Sequence, residues 1–225
     1  MKYFTKGELC LWGGSVLTVL TAFFLFHGGN YLNLTASLIG VTSLIFAAKG
    51  SPAAQFMMII FSILYGVISW HSAYYGEMVT YLGMTMPMAV VSLISWLRHP
   101  YQGDKSQVEI NHIKKQEIPF LAVLTIIVTM IFYFILKFFH TANLLFSTIS
   151  VTTSFVAVYL TFRRSPYYAL AYAGNDIVLI ILWILAALKE PDNLSVVVCF
   201  AVFLINDIYG FRSWKKMEKK QREKI

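Results

Sequence analysis

Long runs of apolar residues divide the chain into regular segments. They cover residues 9–27, 31–48, 53–75, 78–97, 118–139, 141–162, 166–188 and 194–214. Each run has about the 20 residues that a helix needs to cross the hydrocarbon core of a bilayer. The apolar positions are continuous and do not alternate with polar ones, which argues against a membrane β-barrel. The pattern therefore predicts an all-α integral membrane protein with about eight transmembrane helices.

The composition supports one membrane domain over residues 1–225. Hydrophobic residues make up 58% of the chain and charged residues only 13%, whereas soluble domains carry about 25% charged residues. These values exclude a soluble globular domain and a disordered chain. Both cysteines, Cys10 and Cys199, lie within apolar runs, so we interpret them as buried hydrophobic residues without a disulfide or a metal.

The basic residues predict the orientation in the membrane. With eight spans, 16 of the 18 Lys and Arg residues fall on one side, and only Lys137 and Lys189 fall on the other. By the positive-inside rule, both termini are then cytoplasmic. If residues 9–27 did not cross the membrane, 14 Lys and Arg residues would lie on one side and 4 on the other. Whether residues 9–27 span the membrane fully therefore stays open. The basic residues border apolar runs, which argues against a nucleic-acid partner.

An internal repeat organises the runs. Three dipeptides recur in order along the two halves: Asn33-Leu34 with Asn143-Leu144, Ser51-Pro52 with Ser165-Pro166, and Ser95-Trp96 with Ser213-Trp214. The repeat predicts two three-helix units that are joined by one linker helix (3+1+3) and preceded by an extra N-terminal helix. The predicted segments are the extra helix 9–27, the first repeat 31–97, the cytoplasmic loop 98–117, the linker helix 118–139, the second repeat 141–214 and a basic, solvated cytoplasmic tail 215–225. Because one helix lies between the two repeats, both repeats have the same orientation in the membrane. Transporters of the SWEET type are built in this way, and they bind substrate near the midplane between the halves.

Polar residues within the runs are the candidates for function. Asp176 and Asp207 are ionisable residues inside predicted spans, and such residues cost about 2.5–3.5 kcal/mol to insert. Helical spacing and the repeat add further side chains. The candidate substrate-binding residues are Gln55, Ser62, Tyr65, Asn175, Asp176, Trp183, Asn206, Asp207 and Tyr209. The alternative is that these residues only fix helix packing. We assign Trp12, Trp70, Trp96 and Trp214, near span ends, to the interfacial aromatic belt.

The sequence lacks recognisable catalytic or cofactor-binding motifs. It contains neither a P-loop nor an H-E-x-x-H motif, and its five histidines are not paired at metal-ligand spacing. We therefore predict no catalytic residues, no metal and no cofactor, and we do not expect an enzyme.

The second half resembles a known family. The segments Asn175-Asp176-Ile177-Val178-Leu179-Ile180-Ile181-Leu182-Trp183 and Leu204-Ile205-Asn206-Asp207-Ile208-Tyr209-Gly210-Phe211, followed by Trp214, are similar to the PnuC family of nicotinamide riboside transporters. In the first half, Tyr75-Gly76-Glu77 and Pro87-Met88 also resemble it, although Ala89 stands where family members carry an amide side chain. The resemblance covers about residues 30–217. It implies a multi-pass protein of the bacterial inner membrane, a homotrimer, and uptake of a vitamin B3 nucleoside for NAD biosynthesis by facilitated diffusion.

The resemblance gives the candidate residues provisional roles. Trp183 and Tyr209 would stack on the substrate ring, because aromatic faces suit a flat and cationic base. Asn175, Asn206 and Gln55 would hydrogen-bond the ribose or the carboxamide, and Asp176 would orient them or pair with the ring. Three alternatives stay open: transport of thiamine, riboflavin or another nucleoside such as a deoxynucleoside; proton-coupled transport that uses Asp176 and Asp207; and a membrane scaffold without transport.

Overall fold

The computed structural model describes residues 3–26, 31–71, 75–188 and 191–223. The end of the predicted first run at His27 and the basic residue Lys189 lie outside these ranges. The helices are α1 (Lys6–Leu25), α2 (Tyr31–Ala48), α3 (Ala53–His71), α4 (Tyr75–Thr80), α5 (Met86–Arg98), α6 (Glu117–Phe138), α7 (Leu144–Phe162), α8 (Tyr168–Ala187) and α9 (Leu194–Arg222). A two-stranded antiparallel hairpin, β1 (Pro100–Tyr101) and β2 (Asp104–Val108), follows α5. A 3-10 turn, Pro191–Asn193, precedes α9.

Within the described ranges, eight helices have the length and apolar composition to cross a membrane. The fourth of these spans, Tyr75–Arg98, consists of α4, a π-helical turn at Tyr81–Thr85 and α5. The predicted class, an all-α membrane protein with eight transmembrane helices, is therefore confirmed. The 3+1+3 arrangement, the parallel relation of the two repeats and the domain boundaries stay predictions.

Six helical segments close a ring. α2 packs on α3, α3 on α5, α5 on α7, α7 on α8, α8 on α9, and α9 returns to α2. α1 packs outside the ring against α2 and α9, and α6 packs outside it, mainly against α7. A closed ring leaves an interior that is shielded from lipid, where polar side chains can be accommodated.

The turns after α2 and α7 have the same local structure. Gly50 and Arg164 each have a positive φ, at 69° and 57°. The N–H groups of Gly50 and Ser51 donate to Ala47 and Phe46, and those of Arg164 and Ser165 donate to Thr161 and Leu160. These bonds form the left-handed C-terminal cap in which glycine is favoured. The Ser-Pro dipeptides that the repeat analysis identified directly follow these caps in both halves.

The Ser-Trp dipeptides join the two halves at this end of the ring. The indole N–H of Trp96 donates to the Thr161 carbonyl at 2.9 Å, and Ser95 donates to the Phe162 carbonyl. In the same way, the indole N–H of Trp214 donates to the Ala47 carbonyl at 2.7 Å, and Ser213 donates to the Ala48 carbonyl.

This arrangement corrects the assignment of two tryptophans to the aromatic belt. Trp96 and Trp214 are fully buried, and their ring centroids lie 5.5 Å apart. Each indole adds a second hydrogen bond to a carbonyl at a helix end, beside the bond from the N–H of the turn, so both rings belong to the packed interior. Trp12 and Trp70 do lie at the surface, with 37% and 58% exposure.

The last residue of β2, Val108, and the segment after it cover this same end of the ring. We call it the basic end, because Lys49, Arg163, Arg164 and the C-terminal part of α9 meet there. The N–H of Val108 donates to the carbonyl of Gly50, and the N–H of Asn111 donates to the carbonyl of Arg164. The segment thus bridges the two equivalent turns.

The predicted solvated tail after residue 214 differs from the structure. α9 continues to Arg222, and Met217, Glu218 and Gln221 are buried. The amide group of Gln221 donates to the carbonyl of Val108 and accepts from the N–H of Ile110. One face of the basic helix therefore packs under the segment after β2, and only its other face is solvated.

Candidate functional site

The interior of the ring contains a polar cavity toward the basic end, which we call the inner cavity. Its volume is about 60 Å³. The polar side chains that line it come from both halves: Ser43, Gln55, Tyr81, Thr85, Ser154, Tyr168, Tyr172, Asn175, Asp176 and Asp207. A concave site with apolar walls and a few converging polar groups is the usual form of a small-molecule site.

Two carboxyl groups meet at the wall of the inner cavity. Asp176 lies on α8 and Asp207 on α9, both are 4% exposed, and their side chains are within hydrogen-bond reach of each other. An ionised carboxylate can only accept hydrogen bonds. A hydrogen bond between the two groups therefore requires a proton on one of them.

Asn175 is held in place by the neighbouring helix. Its carbonyl oxygen accepts hydrogen bonds from the hydroxyl groups of Thr153 at 2.7 Å and Ser154 at 3.0 Å. Both donors lie on α7, so the orientation of the amide is fixed by tertiary contacts. The NH2 group is the part of Asn175 that can donate to a ligand in the cavity.

A second cavity lies toward the opposite end of the ring, and we call it the outer cavity. Its volume is about 60 Å³, and its lining includes Asn33, Tyr65, Ser69, Trp183 and Asn193. Two of the predicted site residues, Tyr65 and Trp183, therefore belong to this cavity and not to the one that contains the carboxyl pair.

Three phenylalanines separate the two cavities. Phe61, Phe200 and Phe203 contribute to the lining of both. The ring of Phe203 lies 6.1 Å from that of Phe61 and 5.7 Å from that of Phe200, between ring centroids. We call these three residues the septum.

Gly40 on α2 makes room for the septum. A Cβ atom at this position would lie 2.6 Å from Cζ of Phe203 and 3.2 Å from Phe61. Because Phe203 is itself packed against Phe61 and Phe200, its ring has little freedom to retreat. Only glycine fits here without a shift of the septum.

We expect Gly40→Ala to lower the free energy of unfolding by about 1–3 kcal/mol, the usual cost of overpacking. Denaturant unfolding in detergent measures the effect. Gly14→Ala is the matched control, since a Cβ at Gly14 on α1 meets nothing within 4 Å. Alanine stabilises a helix interior by about 0.5–1 kcal/mol relative to glycine, so the control is expected to be neutral or stabilising. Equal effects at both sites would contradict the steric role of Gly40.

The predicted site residues fall into three groups. Gln55, Asn175, Asp176 and Asp207 line the inner cavity, and Tyr65 and Trp183 line the outer one. Ser62 is fully buried and donates to the Met58 carbonyl of its own helix.

Asn206 and Tyr209 lie at the contact between α9 and α1. The amide of Asn206 donates to the Ser15 hydroxyl at 2.8 Å, and the hydroxyl of Tyr209 donates to Glu8 at 3.0 Å. Glu8 also pairs with Lys49 at 3.2 Å. The structure thus places both residues in contacts that fasten the N-terminal helix, although the sequence predicts a substrate role for them.

Several aromatic residues of the inner cavity were not predicted from the sequence. Tyr168 and Tyr172 precede Asp176 at spacings of eight and four residues, so all three lie on one face of α8. That helical spacing was a usable signal. Tyr81 and Thr85 gave no such signal, because a π-helical turn shifts the register of the helix that carries them. Such turns are frequent at functional sites.

The described residues contain no group of three or more His, Cys, Asp or Glu side chains that could hold a metal ion. The chemistry of the inner cavity is therefore that of amides, hydroxyl groups, aromatic rings and one carboxyl pair. Together, the fold and the cavities define a multi-pass helical membrane protein with polar sites enclosed near the centre of its spans.

Comparison with known sequences identifies the family. The sequence profile of the nicotinamide mononucleotide transporter family matches residues 30–216, which is most of the chain. The chain belongs to this family, as the resemblance to the PnuC transporters predicts. The match begins after α1, includes α6 and five of the six ring segments in full, and covers α9 up to residue 216.

Individual relatives are distant but extensive in coverage. The nicotinamide riboside transporter PnuC of Neisseria mucosa is 24% identical over 215 residues, which cover 93% of this chain and 81% of the relative. The nicotinamide riboside transporter PnuC of Haemophilus influenzae is 21% identical, with 85% and 82% coverage. A crystal structure of the vitamin B3 transporter PnuC aligns with a TM-score of 0.83 at 22% identity and covers 97% of this chain and 94% of its own. At this identity, the structural match shows a common fold.

Proposed function

We propose that this protein carries nicotinamide riboside across a membrane by facilitated diffusion. The observation that carries the proposal is the family match over residues 30–216, within which the inner cavity lies. Nicotinamide riboside is the substrate in the names of both relatives. The cavity offers the chemistry that such a nucleoside requires: aromatic rings for its base, and amides and hydroxyl groups for its ribose and carboxamide.

Four residues are the proposed substrate contacts of the inner cavity. Gln55 and Asn175 would hydrogen-bond the substrate, and Asp176 and Asp207 would supply the acidic wall. Tyr65 and Trp183 would contact the substrate in the outer cavity, on the other side of the septum. We do not place Asn206 or Tyr209 at the substrate, because both are engaged with α1.

The cellular setting is part of the same proposal. We assign the chain to the bacterial inner membrane with both termini in the cytoplasm, because 16 of its 18 Lys and Arg residues then face inward. The inner cavity would then lie toward the cytoplasm and the outer cavity toward the outside. A homotrimer remains a prediction from the resemblance.

We expect nicotinamide riboside to stabilise the purified protein. At 100 times its dissociation constant, a ligand that binds only the folded protein adds about 2.7 kcal/mol. Thermal unfolding in detergent with nicotinamide riboside, thiamine, riboflavin and several nucleosides measures this effect. Stabilisation by nicotinamide riboside alone supports the proposal. Stabilisation by another vitamin or nucleoside alone would agree with a transporter but reject nicotinamide riboside as its substrate. If none of the compounds stabilised the protein, a membrane scaffold without transport would be favoured.

A second candidate is proton-coupled transport of a small metabolite. The observation that favours it is the contact between Asp176 and Asp207, which can exchange a proton. Uptake into proteoliposomes with and without an imposed pH gradient separates the two candidates. Facilitated diffusion predicts the same final concentration inside and outside under both conditions, and proton coupling predicts accumulation that follows the gradient.

A further inference from the structure

The charges around the inner cavity are of one sign. Among its lining residues, all of which the structure describes, two are acidic and none is basic. Both acids are 4% exposed. No amide or hydroxyl group of the described residues donates to Oδ2 of Asp176. Buried carboxyl groups are normally paired with a cation or satisfied by donors, and this oxygen has neither among the described residues.

The two carboxyl groups hold one negative charge when they share one proton. Two ionised carboxylates in hydrogen-bond contact repel each other strongly in a medium of low dielectric constant, and this repulsion keeps one proton between them. The singly protonated pair can therefore compensate one positive charge. A monovalent cation in the inner cavity would stabilise this singly charged form of the pair, whereas a neutral solute would not.

The aromatic side chains of the cavity favour the same kind of ligand. Tyr81, Tyr168 and Tyr172 line it together with the septum. The face of an aromatic ring attracts a cation within about 6 Å of its centre. The aromatic rings and the carboxyl pair therefore favour the same kind of ligand, a flat organic cation.

From these observations we infer that the Asp176–Asp207 pair selects substrates by charge, so that the inner cavity binds flat monovalent organic cations in preference to neutral molecules of the same shape. This inference rests on the proposed function in one respect, the choice of nicotinamide riboside as the cationic substrate. In nicotinamide riboside the ring nitrogen is bonded to the ribose and carries a fixed positive charge. Its reduced dihydropyridine form has the same ribose and carboxamide but no charge.

The test compares binding of the two forms by titration calorimetry on the purified full chain. We expect the wild-type protein to bind the cationic form at least about tenfold more tightly, as one charge-assisted contact provides. In the double variant Asp176→Asn/Asp207→Asn, which keeps side-chain volume and hydrogen bonding, the preference is expected to fall close to one. Because both forms are measured on both proteins, differences in ring stacking cancel in the comparison. Asp104→Asn, at an exposed acid of the hairpin, is the matched control and should keep the full preference.

Equal affinity of the wild-type protein for both forms would overturn the inference and leave the proposed function intact. An unchanged preference in the double variant would also overturn it. Where the double variant does not fold, Asp176→Asn alone should reduce the preference, and the wild-type ratio remains decisive.

Thiamine and riboflavin separate failure of the inference from failure of the proposed function. Thiamine carries a cationic thiazolium ring, whereas riboflavin is neutral. If thiamine binds and neither nicotinamide riboside nor riboflavin does, the proposed substrate is rejected and selection by charge is supported. Binding of riboflavin alone, or of none of the four compounds, would overturn both.

Discussion

Replacement of Trp214 by alanine is expected to lower the free energy of unfolding by about 3–5 kcal/mol, the range for loss of a large buried aromatic side chain. Trp214 is fully buried, contacts Trp96 and Tyr168 at ring-centroid distances of 5.5 and 4.8 Å, and donates its indole N–H to the Ala47 carbonyl. Removing it leaves a cavity and takes away one of the two hydrogen bonds to the Ala47 carbonyl at the end of α2, which keeps the bond from the N–H of Gly50. Denaturant unfolding in detergent measures the loss.

Trp70→Ala is the matched control for this prediction. Trp70 is 58% exposed and its ring contacts that of Tyr75, so its removal is expected to cost well under half as much. Trp214→Phe separates the two contributions, because it keeps most of the apolar volume and removes the donor. We expect it to cost about 1–3 kcal/mol. If Trp214→Ala were no less stable than Trp70→Ala, the central packing role of Trp214 would be contradicted.

Replacement of Asn175 by alanine is expected to weaken nicotinamide riboside binding by about 1–3 kcal/mol, which is roughly a 5- to 150-fold rise in Kd. Asn175 lines the inner cavity, and its carbonyl oxygen is already held by Thr153 and Ser154. The lost interaction is therefore that of a preoriented amide. Titration calorimetry on the purified variant measures the change.

Asn206→Ala makes the same chemical change on the neighbouring helix. Asn206 is 2% exposed and donates to Ser15 on α1 and to the Val202 carbonyl. We expect this variant to lose about 1–3 kcal/mol of stability and to keep its Kd within about twofold. A rise in Kd for Asn206→Ala as large as that for Asn175→Ala would restore the substrate role that the sequence alone suggests.

The contrast between these two asparagines shows where prediction from sequence ends. Each precedes an aspartate within an apolar run, so spacing and composition treat them alike. In the structure, Asn175 borders the cavity while Asn206 faces α1. The difference depends on which side of each helix faces the ring interior, and that rotation is set by contacts between helices far apart in the chain.

The tryptophans make the same point for stability. Position near a span end and beside basic residues is typical of the aromatic belt, and Trp12 and Trp70 do lie at the surface. Trp96 and Trp214 occupy similar positions in the sequence, but each reaches a carbonyl at the end of a helix in the other half. The Ser-Trp repeat indicated that these positions are related, and only the tertiary structure showed what they bind.

The sequence by itself determined the membrane class, the eight spans and the family, and it predicts that the basic segments share one side of the membrane. These properties follow from apolar length, charge distribution and local motifs, all of which act along the chain. Only the tertiary structure decided that Asp176 meets Asp207, that three phenylalanines divide the interior into two cavities, and that a π-helical turn brings Tyr81 and Thr85 to the inner one. The physical reason is that contacts between helices arise from the rotation and register of each helix in the closed ring, and an apolar run of sequence encodes neither.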